Sequence, residues 1–524
     1  MTKKPNFLYF ITDQHRADWL GCAGHPVVKT PNIDALAAKG TRISDFHVAA
    51  PICQPNRASL LTGRMPSLHG MKHNGCCLPE TATTFVDVLR ADGYNTASIG
   101  KSHLQNFTGL APLHSPDPEG EAPRLIEQAW ADHDRQGDYD KESAARYAGD
   151  KPYDFPTPYY GFDHVDMLTS HGDRAGGHYA QWFRQQPGAS DMWDDANQLP
   201  HNYSCPQAYR TPVPEELYPT TWVADRAIDY IQDKAGAEDP YFAWVSFPDP
   251  HHPFNPPGKY WDMYSPDQFD ADLPYEAHKN PPPPLQWLEA QLHSGGKAVT
   301  PQTAQRVSDQ AIREAKALTA GMITMIDDQI GRVIEALKAS GEYDDTVIIF
   351  NTDHGDYLGD FGLILKGVLP TGGITHVPMI WSDPDDRTGQ VAETMASTID
   401  ISATILERAG LTPYRGIQGK SFLPTIQDGR AHRTDLMIEF NDGAAKYGFE
   451  DPARVRTLRS KDWRFSIYGG LEWGELYDLI ADPQETYNLW DSPDHQGVKG
   501  ELSLRLAQYL TAQLDESPRA TKIA

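Results

Sequence analysis

An α/β fold, with a large mixed β-sheet sandwiched by helices and a smaller C-terminal α+β subdomain containing an antiparallel sheet, is predicted by three features of this chain. Short uninterrupted apolar runs each end in a polar cluster, amphipathic helical stretches separate them, and after about residue 434 the pattern changes to short strands and one last helix. At 524 residues the chain exceeds the roughly 250 to 300 residues at which one hydrophobic core stops growing. A large domain over 1–430 and a subdomain over 431–524 are therefore expected.

The elements follow in chain order. Phe7-Leu8-Tyr9-Phe10-Ile11 runs into Thr12-Asp13-Gln14-His15-Arg16. Residues 33–39 and 84–92 carry apolar side chains at three- and four-residue spacing, which predicts helices. Thr96-Ala97-Ser98-Ile99 then runs into Gly100-Lys101-Ser102-His103. Residues 105–219 are rich in Pro, Gly, Asp and aromatics and read as a long irregular insert, the kind of segment that forms lids or binding loops. A helix is expected over 222–234, and a strand over Tyr241-Phe242-Ala243-Trp244-Val245-Ser246-Phe247 before Asp249-Pro250-His251-His252-Pro253. Pro281 to Pro284 opens a second irregular stretch, and a helix over 315–340 ends near Gly341. Val347-Ile348-Ile349-Phe350 leads into Asn351-Thr352-Asp353-His354-Gly355-Asp356. The subdomain contributes strands such as 464–468 and a helix over 502–514. Apolar runs without alternation mark strands buried on both faces. Ligands of open α/β sheets bind beyond the carboxyl ends of the strands, so these four polar clusters should meet at one site.

Composition narrows the chemistry. A net charge of −26 opposes nucleic acid and anionic membrane as partners, so neither is expected. An anion site would have to be made locally from a metal and clustered basic groups. No run of about 18 apolar residues occurs, and no cleavable leader is evident after Met1. The cysteines Cys22, Cys53, Cys76, Cys77 and Cys205 are odd in number and form no CxxC pair, poor material for a disulfide framework. A cytoplasmic protein is the expectation.

Asp13 with Gln14, and Asp353 with His354, each follow a buried strand. Taken singly, either aspartate fits a helix cap. Taken with each other and with Cys53, they fit a site of oxygen donors and one imidazole, which suits calcium, magnesium or manganese better than zinc. Gly100-Lys101-Ser102 and Gly419-Lys420-Ser421 are not phosphate-binding P-loops, because Asn95 and Tyr414 stand where the first glycine belongs.

The segment Pro51-Ile52-Cys53-Gln54-Pro55-Asn56-Arg57-Ala58-Ser59-Leu60-Leu61-Thr62-Gly63-Arg64 carries the most specific signal. Its Cys-x-Pro-x-Arg pattern resembles the signature of the sulfatases, alkaline phosphatase-like enzymes whose cysteine is oxidised to Cα-formylglycine. Gly-Lys-x-His at 100–103, Pro-His-x-Pro at 250–253 and the later segments 397–406, 419–424 and 475–489 resemble family landmarks, so the likeness spans Asn6 to Leu489. It implies a divalent metal, Ca2+ or Mn2+, held by Asp13, Gln14, residue 53, Asp353 and His354. It further implies that Arg57 and Lys101 stabilise a formylglycine diol that attacks sulfur, that Lys366 and His251 hold the sulfate and the leaving oxygen, and that His103 is the base that releases sulfate. Asn74 is expected to hydrogen-bond the sulfate. Implied partners are a small-molecule sulfate ester and, during maturation, a formylglycine-generating enzyme; a homo-oligomer is compatible with the sequence. Among the remaining histidines, His252 and His376 are read as satisfied polar residues.

Two other readings stay open at this point. Phosphonate monoester and phosphodiester hydrolases of the same superfamily look similar, although they tend to carry neutral residues in place of Lys101 and His103. A non-catalytic sulfatase-like binding protein with unmodified Cys53 would account for Gln54 and Asn56, which replace the small residues common there.

Overall fold

The computed structural model describes residues 4–110, 137–149, 151–294, 300, 302–517 and 519–523. Residues 111–136 and 150 of the expected 105–219 insert lie outside the described residues.

The strands are β1 Asn6–Thr12, β2 Thr41–His47, β3 Asn95–Lys101, β4 His164–Thr169, β5 Gly176–Gly177, β6 Tyr241–Ser246, β7 Gln305–Arg306, β8 Thr346–Thr352, β9 Leu363–Ile364, β10 Met379–Ser382, β11 Gln390–Ser397, β12 Asp435–Asn441, β13 Arg454–Ser460, β14 Trp463–Tyr468 and β15 Gly474–Asp478. Nine of them form one mixed sheet in the order β11-β2-β10-β8-β1-β6-β3-β4-β5. The four strands foreseen from apolar runs, β8, β1, β6 and β3, are its adjacent, mutually parallel centre. There Leu8 pairs with Ile348 on one side and Ala243 on the other. The antiparallel members β10 and β5 make the sheet mixed.

Alternation along the central strands feeds two separate cores. Phe7, Tyr9 and Ile11 pack on one face with Phe242, Trp244, Val347 and Ile349, against Leu60, Leu61, Phe85, Leu89 and Ile405. Leu8 and Phe10 pack on the other with Ala243, Val245, Ile348 and Phe350, against Trp222, Val223, Ile326, Ile330 and Val333. Both faces are apolar because both are covered by helices, which is why no polar alternation shows in the sequence.

Several helices start earlier than their sequence-based bounds and end a residue or two sooner, while the expected 84–92 helix is Phe85–Ala91. The predicted 315–340 helix runs over Asp309–Ala339, starting where Ser308 caps it by accepting from Ala311 N at 3.2 Å. The last helix is Gln496–Ala512. A correction applies at 281–284: the expected irregular stretch gives way to a helix over Pro283–Ser294, prolines being tolerated in a first turn, where the amide would lack a partner anyway. Among the described residues no helix is long and apolar enough to cross a membrane.

The second sheet, β12-β13-β14-β15, is wholly antiparallel. Met437, Leu458, Phe465 and Leu476 pack with Ala49, Met65 and Ile399 of the larger part and Leu506 of the last helix.

Candidate active site

Six strand ends and one helix build the site. β1 delivers Asp13 and Gln14, β3 Lys101 and His103, β4 His171, β6 His251 and His252, β8 Asp353 and His354, and β9 Lys366. The helix Cys53–Thr62 begins at Cys53 behind an extended Ile52 and is buried along its whole length. Its N-terminus and dipole face the same place, favouring negative charge there. Two non-glycine residues just beyond strands, Gln14 (φ 65°) and His103 (φ 56°), adopt left-handed backbone, which costs each on the order of 1 kcal/mol and persists only where neighbours enforce it.

The negative half is compact. Asp13, Cys53, Asp353 and His354 are all buried, with ligand atoms within 4.8 Å of one another. Cys53 Sγ lies 3.0 Å from His354 Nε2 and 3.8 Å from Asp13 Oδ1. His354 Nε2 is 3.5 Å from Asp13 Oδ1 and 3.6 Å from Asp353 Oδ1. Two carboxylates and one imidazole without a second soft ligand fit a hard divalent cation. Gln14 Oε1 accepts from Lys366 Nζ at 2.8 Å while Gln14 Nε2 donates to Asp356 Oδ2 at 2.5 Å. The second lone pair of that oxygen leaves it able to serve an ion as well.

The positive half faces it. Arg57 Nε donates to Asp353 Oδ2 at 2.7 Å, and Arg57 Nη1 to Lys101 O at 2.8 Å and Ser246 Oγ at 2.9 Å. Lys101 Nζ contacts both Asp13 Oδ2 and His171 Nε2. Lys366 Nζ is 2.7 Å from His251 Nε2, and His251 Nδ1 lies 2.6 Å from His252 O. His171 stacks on His251 with ring centroids 3.4 Å apart, and His252 lies 4.0 Å from His251 on the same measure. Arg57 Nη2, His103 Nδ1 and His252 Nε2 are buried without a hydrogen-bond partner among the described residues. Buried polar atoms are rarely left unmatched; Arg57 Nη2 lies 3.5 Å from Asp13 Oδ2 in an ion pair, and the two ring nitrogens keep their hydrogen-bonding capacity.

Protonation states follow from burial and charge. Burial opposes ionisation of Asp13, yet the Lys101 charge, the His171 hydrogen bond and the Arg57 charge outweigh it and hold the carboxyl well below its ordinary range. Burial, reinforced by the Asp13 charge, pushes the Cys53 thiol up to about 11, so an unmodified Cys53 is not a thiolate at neutral pH. Burial and then Lys101 hold His103 well below its usual value. Burial, then His171, His252 and Lys366 do the same for His251. Both imidazoles are neutral at pH 7.

Asp13, Gln14, Cys53, Arg57, Lys101, His103, His251, Asp353, His354 and Lys366 thus come together in one buried cluster. Asn74 sits at its edge, half-buried, with Oδ1 accepting from Gln54 N at 3.2 Å over the first turn of the Cys53 helix. His252, expected to be a satisfied polar residue, instead lies inside the site, its ring stacked against His251 and its Nδ1 3.4 Å from Gln14 Nε2. His376 lies elsewhere, bound to Ser44 O at 2.8 Å. His171 went unread. Its signal was present, Val165-Asp166-Met167-Leu168-Thr169 running into Ser170-His171-Gly172-Asp173, but a single polar residue inside the run and the surrounding loop-like composition hid the strand. Gln54 and Asn56 have structural work. Asn56 Nδ2 donates to Asp353 O at 2.5 Å while its Oδ1 accepts from Ala49 N and Thr398 Oγ1, and Gln54 ties residues 75, 105 and 106 together.

Comparison with known proteins places the chain in a family. The sulfatase family model matches residues 5–112 and 154–411, and the model for the C-terminal region of N-sulphoglucosamine sulphohydrolase matches 359–512. An arylsulfatase of Clostridium perfringens is 28% identical over 500 residues, covering 94% of this chain and 92% of that one. The multifunctional alkaline phosphatase superfamily protein PehA of Trinickia caryophylli is 27% identical, covering 99% and 97%. The crystal structure of the phosphonate monoester hydrolase of Agrobacterium radiobacter superposes with a TM-score of 0.75 at 25% identity, over 98% of this chain and 97% of that one. The chain therefore belongs to the sulfatase family of sulfuric ester hydrolases, within the alkaline phosphatase-like superfamily.

Proposed function

We propose that this protein hydrolyses sulfate monoesters to an alcohol and inorganic sulfate, with Cys53 converted to formylglycine and one Ca2+ or Mn2+ held by Asp13, Gln14, residue 53, Asp353 and His354. The observation that carries this reading is the apposition of the buried Asp13–Cys53–Asp353–His354 cluster to Arg57, Lys101 and Lys366. In place, the ion supplies charge to neutralise ester oxygens and the hydrated aldehyde supplies the nucleophile.

The chain's own groups do the rest. Arg57 is fixed by Asp353 and two neutral acceptors, so it is preorganised for negative charge at residue 53. Lys101 and His171 hold one side of the sulfate, and Asn74 reaches it from the rim. The Lys366–His251 pair, 2.7 Å apart, shares the proton that a departing alcohol oxygen requires. His103, neutral because it is buried beside Lys101, accepts a proton when sulfate is released.

Phosphonate monoesters are the second reading, favoured by the structural likeness to the Agrobacterium enzyme. The test is kcat/KM on sulfate monoesters, phosphonate monoesters and phosphate diesters, using protein co-expressed with a formylglycine-generating enzyme, with metal content and the mass of the residue 53 peptide taken on the same sample. Sulfate monoesters should be the best substrates, with stoichiometric divalent metal and a peptide lighter than intact cysteine requires. Higher kcat/KM on phosphonates would move the assignment, and fully active protein with intact Cys53 would end its formylglycine part.

A further inference from the structure

Glu142 belongs to the insert, yet it is fully buried beside the segment that carries His103. Its Oε1 accepts from Ser102 Oγ at 2.6 Å, Leu104 N at 2.8 Å, Gln105 N at 3.1 Å and Tyr159 OH at 2.6 Å. Its Oε2 accepts from His103 N at 3.1 Å. Three consecutive backbone amides, of residues 103 to 105, thus converge on one carboxylate, a concave nest of the kind that binds anions, here filled from within the chain. The same segment holds the left-handed His103, and without the carboxylate its amides would be buried and unmatched.

Glu142 is itself tethered to that segment. Lys141 N donates to Gln105 Oε1 at 3.0 Å, Gln105 Nε2 to Asp138 O at 3.0 Å and Ala144 N to Phe107 O at 3.3 Å, while Lys141 pairs with Glu80. The family match skips this piece, running over 5–112 and 154–411. Glu142 thus lies between the two matched stretches, while its donors Ser102 to Gln105 and Tyr159 lie within them.

We propose that Glu142 is a positioning residue that sets the His103 imidazole for sulfate release, an inference that rests on the sulfatase reading of His103. In that step His103 takes the proton of the remaining hydroxyl at residue 53, the aldehyde C=O bond re-forms, and the C–O bond to sulfate breaks with its electron pair leaving on sulfate. Glu142 touches neither substrate nor residue 53 and acts only through the 102–105 backbone.

The test is Glu142→Gln in the full-length, metal-loaded, formylglycine-bearing protein with nitrophenyl sulfate. Glutamine keeps the volume but has one acceptor oxygen, so either His103 N or the donors to Oε1 lose their partner. First-turnover release of nitrophenol should stay within about threefold of wild type while steady-state turnover falls on the order of 10- to 100-fold. The peptide carrying residue 53 should gain the mass of sulfate during turnover. Amides 103 to 105 should also exchange hydrogen faster in the unmodified protein, a readout independent of activity. A merely structural role would lower both rates together with the folded fraction, and that result, or unchanged rates, overturns the inference. His103→Ala is the control: if it shows neither burst nor mass gain, the reading of His103 has failed, whereas a burst there and none in Glu142→Gln rejects Glu142 alone. Should Glu142→Gln not fold, Tyr159→Phe removes a single donor and should shift the ratio of the two rates in the same direction; an unchanged ratio overturns the proposal.

Discussion

His251 and His103 are chemically alike and are told apart by what touches them. His251 Nδ1 is engaged by the His252 carbonyl, which turns Nε2 toward Lys366, whereas His103 has an unmatched Nδ1 and a ring 4.4 Å from Phe107. The proposed functions differ accordingly. His251→Ala should lose on the order of 10²- to 10³-fold in kcat/KM on sulfate esters of poorly acidic alcohols, and less than about 10-fold on nitrophenyl sulfate, whose leaving group needs little help from an acid. The check is the slope of log kcat/KM against leaving-group pKa, which should steepen in the variant. Parallel plots for variant and wild type would remove His251 from the leaving oxygen.

At the scale of elements, the site depends on how closely the central strands pair. Gly100 pairs with Ser246 across β3 and β6, has φ +101°, and a Cβ there would stand 2.0 Å from the Ser246 carbonyl oxygen. Ser246 and Lys101, on either side of this contact, both accept from Arg57. Gly100→Ala should therefore cost well over about 1 kcal/mol, since alanine meets both a forbidden φ and a clash, and should lower kcat through Arg57 and Lys101. Gly410→Ala is the comparison: φ is +74° but nothing lies within 4 Å, so only the backbone penalty of about 1 kcal/mol is expected. Urea unfolding of both variants measures the difference, and equal losses would show that the strand contact has slack.

For the whole molecule, a buried ion pair joins the two sheets' halves. Asp400, in the first turn of the helix Thr398–Arg408, accepts from Arg433 Nε at 2.8 Å, His432 Nε2 at 3.0 Å and Lys420 N at 2.8 Å. Burial alone would raise its carboxyl, but the Arg433 charge and these hydrogen bonds hold it well below the ordinary carboxylate range. A depressed native pKa means stability present above the unfolded value near 4 and lost as pH falls below it. Asp400→Asn leaves Arg433 buried and unpaired, so it should cost about 3 to 5 kcal/mol at pH 7. At pH 3 the wild type gives up part of this advantage, and the gap between the two proteins should narrow. Unfolding free energies at the two pH values provide the check; a gap of constant size would show that Asp400 does not titrate with folding.

What the sequence determined by itself was whatever lies close together along the chain. Four apolar runs bounded by polar clusters identified β1, β3, β6 and β8, because a strand covered on both faces needs no alternation, and the Cys53–Arg57 spacing is a property of one helix. Those local signals, with the family resemblance, named Asp13, Cys53, Arg57, Lys101, His103, His251, Asp353, His354 and Lys366, which the fold brings into one cluster. Only the tertiary structure decided what depends on partners distant in sequence. β4 and β2 take their stability from pairing with neighbours in the sheet, so their mixed composition did not announce them, and His171 was missed with β4. His252 entered the site because its ring stacks on His251, a matter of backbone direction after β6 that residue type does not record. Glu142 became a clamp because residues 37 to 40 positions earlier in the chain present their donors to it. A carboxylate in a polar insert looks solvated until the fold removes the water.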